Sequence, residues 1–147
     1  MRAATKASPE LRQRHNELVK SEFTHRVQFG GNPKDISRAK TEYAFAPHAR
    51  SEGKGSPTTV TIDKAYSVSG YADKQGDDIQ TMVVHELYGH SYQADRGELN
   101  DREINLISGI KESEHSAVDA ENIFNRDAGR PEEKCYGNKP LDGKSPC

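Results

Sequence analysis

The chain has 147 residues and a formal net charge of −2, with 30% charged and only 32% hydrophobic residues. That length argues for one domain built around a small core. No apolar run reaches the ~18 residues of a membrane span, and near-balanced charge leaves no whole-domain basic footprint for nucleic acid.

No apolar stretch follows Met1–Lys6, so no secretory signal is visible. Ser8 is a natural N-cap with Pro9 at the first helical position, which predicts a helix from Pro9 to Arg26. Leu11, Leu18, Val19 and Phe23 supply its apolar stripe, while Arg12, Arg14 and Lys20, interleaved with acids, read as a solvated face. Gly30-Gly31-Asn32-Pro33 breaks the chain, a short strand is expected over Tyr43–Phe45, and Ala49–Pro57 reads as an exposed loop. Thr58–Lys64 is rich in β-branched residues, with Val60 and Ile62 alternating with polar positions. It is expected as a strand with one buried face, either an ordinary sheet strand or an edge strand with which an extended backbone can pair. Tyr66–Ser69 is a second short strand or a turn.

The best-defined helix runs from about Asp78 to Arg96. Asp77 and Gln80 make a capping-box-like start, and Gly97 makes the stop. Ile104, Leu106, Ile107 and Ile110 are expected to pack beneath this helix and the next, Ser113–Ala128, which ends at Gly129. Residues 132–147 read as an irregular tail. Its two cysteines, Cys135 and Cys147, either close a short loop or remain free thiols. The expected fold class is α+β, a few short strands packed beside two or three helices. Residues 1–147 are expected to form a single domain in which residues 1–50 are poorly assigned.

Chemistry concentrates in His85-Glu86-Leu87-Tyr88-Gly89-His90. Neutral imidazoles bind zinc well, and a neighbouring carboxylate can take a proton from water on the metal. The common zinc helix spaces its histidines four apart, whereas these are five apart, about 140° around an ideal helix. A π-type turn across Leu87–His90 adds the residue that restores alignment, and Gly89 eases it. A straight helix would instead pair Glu86 with His90 and leave His85 out. A third ligand is needed, and Glu114 is chosen because its neighbours Ala117 and Val118 allow close helix approach. Asp119 and Glu121 become candidates for orienting an imidazole. Tyr136, His115 and Tyr92 are candidate donors to a developing oxyanion.

HELYGH is similar to the five-spaced HELLGH of dipeptidyl peptidase III, a local likeness to a gluzincin-type zinc metallopeptidase. Over Thr58 to Gly137 the chain resembles short effector metallopeptidases of bacteria and the C-terminal toxin domains of RHS-repeat proteins. That likeness rests on a strand ending VTID, the HELxGHxxQ helix, Glu114 to Asn122 (EHSAVDAEN), Arg126, Gly129, Pro131 and Tyr136. It implies a zincin-like domain with a central metal helix and a zinc-dependent endopeptidase acting on a protein of a target cell. His85, His90 and Glu114 would hold Zn2+, with Glu86 as general base. Delivery as a secreted effector and a cognate immunity partner are further implications. A peptidoglycan amidase or a non-catalytic metal-binding module are the alternatives the residues leave open.

Overall fold

A computed structural model describes residues 5, 6, 8–30, 38–73 and 76–147. Helix α1 (Pro9–Lys20) starts where expected, with the Ser8 hydroxyl accepting from the Leu11 amide. It stops at Lys20 because the next segment pairs into a sheet. Strand β1 (His25–Phe29) lies parallel to β3 (Thr58–Ile62), in register His25 to Thr58. Long-range pairing here overrides the helical continuation expected to Arg26. Leu11 and Leu18 are buried, whereas Val19 stays exposed.

Strand β2 (Ala39–Tyr43) lies antiparallel to β3 on its other side, so the sheet order is β1-β3-β2. The strand expected at Tyr43–Phe45 is therefore shifted toward the N-terminus, and Phe45 instead begins the short helix α2 (Ala46–Ala49). Central placement decides between the two alternatives for β3 and corrects its expected single buried face. It is not an edge strand, and Thr58 and Thr61 are buried along with Val60 and Ile62. A 3-10 turn (Lys64–Ser67), capped by Asp63, follows it.

The next helix forms from Ile79 to Arg96 in three contiguous segments: α3 (Ile79–Val83), a π-helix (Val84–Ser91) and α4 (Tyr92–Arg96). Its cap is Asp78, one residue beyond the expected Asp77; Asp78 Oδ1 accepts from the Gln80 and Thr81 amides at 2.9 and 3.0 Å. Asp77 is used instead in an ion pair with Arg38. Gly97 ends the helix at φ 72°, a conformation L side chains rarely adopt. All eight residues of the π-helix are buried, because the sheet, α1 and α5 (Glu112–Asp127) surround it. Leu11, Val60, Ile62, Val84, Leu87 and Phe124 lie in the core these elements enclose.

Residues 104–110 do not pack beneath the helices as expected. Ile110 is buried, but Ile104, Leu106 and Ile107 are exposed. The Asn105 side chain accepts from the Ile107 and Ser108 amides, and the Asn105 backbone N–H donates to the Ile110 carbonyl. This closed turn holds the apolar side chains outward. The expected irregular tail is ordered too. Strands β4 (Cys135–Tyr136) and β5 (Lys139–Pro140) form a hairpin, and a Cys135–Cys147 disulfide ties it to the last residue. The architecture is α+β, and no described helix is long and apolar enough to cross a membrane.

Candidate metal centre

The π-helix resolves the spacing problem posed by the sequence. One residue more per turn brings His85 and His90 to the same side, with ring centroids 5.0 Å apart. Gly89 serves a second purpose. A Cβ there would lie 2.7 Å from both Cα and Cβ of Ala117, so α5 crosses the π-helix at near backbone contact. Ala117 and Val118 are buried in that crossing, as their small and apolar character suggests. The close approach places Glu114, in the first turn of α5, against both histidines.

Glu114 Oε2 lies 3.3 Å from His85 Nε2 and 3.4 Å from His90 Nε2. The three ligand atoms fall within 4.8 Å of one another, a group that could hold a metal ion. Two atoms each 2.0–2.1 Å from a tetrahedral ion are about 3.4 Å apart, so the observed separations fit an ion between them. Glu114 Oε2 is buried and makes no hydrogen bond, which is costly for an oxygen without a cation beside it.

Electrostatics agree with that reading. Burial disfavours charge on His85, but the surrounding Glu114, Glu121 and Glu86 outweigh it and push its pKa up to about 10. Burial likewise raises Glu114, yet the two imidazoles hold its carboxyl well below the usual carboxylate range. The cluster draws in positive charge, which a bound cation would supply in place of protons.

Around this group each neighbour has a definite task. Glu121 Oε1 sits 2.5 Å from His85 Nδ1 and accepts from it, which leaves Nε2 free to face Glu114. Asp119, the other carboxylate considered for that task, points to solvent. Glu86 is buried on the same π-helix, and its Oε2 accepts a 2.6 Å hydrogen bond from the Thr41 hydroxyl of β2. Glu86 is not one of the three grouped side chains, so the Glu86–His90 pairing of a straight helix is not the one that forms.

The hairpin swings Tyr136 over the centre. Its ring stacks on His85 at 6.2 Å and 11°. Burial and the nearby Glu114 and Glu86 carboxylates push its pKa up, so the hydroxyl keeps its proton. The other two proposed donors are engaged elsewhere. The Tyr92 hydroxyl donates to Glu17 of α1, and His115 Nε2 bonds to Ser108 Oγ at 2.7 Å. Tyr43, which the sequence did not single out, lines the same 220 Å³ cavity as Thr41, Glu86, His90, Glu114 and Tyr136. Burial, with Glu86, Asp101 and Glu114 nearby, raises its pKa as well. Thr41 and Tyr43 had no sequence signal, because their relevance depends on a strand lying some forty residues away in the chain.

No protein-family model, curated protein or solved structure matches this chain. The site is accordingly read from its own geometry.

Proposed function

We propose that this protein is a zinc-dependent peptidase whose site is His85, His90 and Glu114 with Glu86 beside them. The observation that carries the reading is the orphaned, buried Glu114 Oε2 facing two imidazole Nε2 atoms at 3.3 and 3.4 Å, with a separate carboxylate in reach. Two nitrogens and one oxygen form a donor set suited to zinc, and three protein ligands leave the open position a hydrolase needs. Zinc bound there supplies Lewis acidity to a carbonyl and makes water a stronger nucleophile at neutral pH.

The chain's own residues supply the rest. Glu86, steered through Oε2 by Thr41, takes the proton of the attacking water and returns it to the leaving amine. Tyr136, protonated and stacked on His85, donates to the oxygen that gains charge as the carbonyl becomes tetrahedral. The outer edge of β2 is unpaired among the described residues and borders the cavity. It offers backbone donors and acceptors to an extended peptide, a task that was one of the two alternatives for the Thr58 strand. Action on a target-cell protein, with a cognate immunity partner, remains the biological setting suggested by resemblance to effector and toxin metallopeptidases.

Elemental analysis of the purified protein should find about one zinc per chain, lost in His90→Ala. Glu86→Gln should keep the zinc and lose hydrolysis of a protein substrate panel. A wild type that takes up no zinc, or a Glu86→Gln protein that still hydrolyses, would reject the assignment.

A further inference from the structure

The five-residue spacing between His85 and His90 works only on a π turn, and that turn needs to be held. A π-helix is rare and occurs mostly as single turns at functional sites, and a buried carbonyl without a donor is costly. The middle of the turn is Tyr88, fully buried between the two histidines. Its carbonyl accepts a 2.9 Å hydrogen bond from Arg14 Nη1, a residue 74 positions earlier on α1.

Arg14 is fixed in that pose from two further sides. Its Nη2 donates to Glu10 at 2.8 Å, and its guanidinium lies 5.2 Å from the centre of the Tyr92 ring. The same helix also holds the Tyr88 side chain, through a 3.2 Å contact between the tyrosine hydroxyl and His15 Nδ1. On the opposite side Gly89 is pressed against Ala117. The turn is thus gripped between α1 and α5, with the Arg14 hydrogen bond at its midpoint. A sequence reading of Arg14 as a solvated residue misses this, since only 19% of its side chain is exposed.

We infer that Arg14 is a positioning residue for the metal centre: its hydrogen bond to the Tyr88 carbonyl locks the π turn that sets His85 and His90 on one side. The inference rests on the metal reading above for its consequence, but the lock itself is a statement about the helix. Arg14 touches none of the three metal-facing side chains, so its effect passes through the backbone.

The test compares Arg14→Leu, Arg14→Lys and Glu10→Gln with the wild type. Zinc affinity is measured by competition with a chromophoric chelator, and the Co2+-loaded proteins are examined by visible absorption. Amide exchange is followed across residues 88–93, with the amides of α5 as a folding control. Arg14→Leu should weaken zinc by about 10- to 100-fold, the range seen when groups supporting metal ligands are removed. It should also alter the cobalt spectrum and speed exchange at residues 88–93 while α5 stays protected. Arg14→Lys should recover part of the loss, and Glu10→Gln, whose amide oxygen still accepts from Nη2, should behave as wild type. Wild-type zinc affinity and cobalt spectrum in a folded Arg14→Leu protein would overturn the inference. If the wild type binds neither metal, the metal reading fails instead. Exchange then decides the lock alone: faster at residues 88–93 supports it, and unchanged overturns it. Should Arg14→Leu not fold, Arg14→Lys is judged by the same criteria.

Discussion

Gly89→Ala separates packing from propensity at the centre of the site. In an ordinary helix interior the change stabilises by about 1 kcal/mol, because alanine is the better helix former. Here the added Cβ would lie 2.7 Å from Cα and Cβ of Ala117, and Ala117 is fully buried on the backbone of α5. No flexible side-chain end can yield, so the two helices must separate. Overpacking of this kind costs typically about 1–3 kcal/mol, offset in part by the propensity gain. We expect a net loss of up to about 2 kcal/mol, equivalent to as much as roughly 6 °C in Tm for a chain of this length. Because Glu114 rides on α5, the same displacement should draw Oε2 away from the imidazoles and weaken zinc. Calorimetry with zinc titration measures both effects. Adding Ala117→Gly reopens the space, so the double variant should bind zinc more tightly than Gly89→Ala alone. A Gly89→Ala protein more stable than wild type, with unchanged zinc affinity, would refute the close-approach argument.

Other consequences concern the groups around the centre. Thr41→Val removes the only donor on Glu86 Oε2 among the described residues, so kcat should fall about tenfold or more with zinc content intact; Thr41→Ser should restore most of it, as steady-state kinetics will show. Tyr136→Phe should keep the ring stack on His85 but lose its proton donor, lowering kcat by about 10²–10³ with little change in zinc binding. Arg50 donates to both oxygens of Asp101 at 2.6 Å, and this pairing holds the Asp101 carboxyl below its ordinary value. A depressed folded pKa stabilises above the unfolded value and loses that contribution as pH falls through the folded one. Asp101→Asn should therefore cost up to about 1 kcal/mol at neutral pH, and denaturant titrations should show the difference vanishing in acid.

Much of the central helix was legible in the chain itself. The Asp-rich start, the apolar run Met82-Val83-Val84 and the Gly97 stop bound it to within a residue, since caps and glycine act locally. The five-residue histidine spacing even called for the π turn, because helix geometry leaves no other way to align both rings. Glu114 was selected for its small neighbours, and Ala117 does admit the Gly89 crossing that brings the Glu114 carboxylate to the two histidines.

Local pattern was a poor guide wherever the answer depended on a distant partner. Val60 and Ile62 alternate as they would in a half-exposed strand, yet pairing with β1 on one side and β2 on the other put β3 in the centre. Ile104, Leu106 and Ile107 looked like core, but a turn closed by Asn105 faces them to solvent. Thr41, Tyr43 and Arg14 lie in the first fifty residues, where no motif marks them, and each gains its role only when β2 or α1 is laid against the π-helix. Sequence alone thus determined the candidate ligands and the helix that carries two of them, because capping, periodicity and donor chemistry are properties of neighbouring residues. Tertiary structure decided which carboxylate meets the histidines, which orients them and what holds the π turn, because those are distances between segments that the chain brings together only by folding.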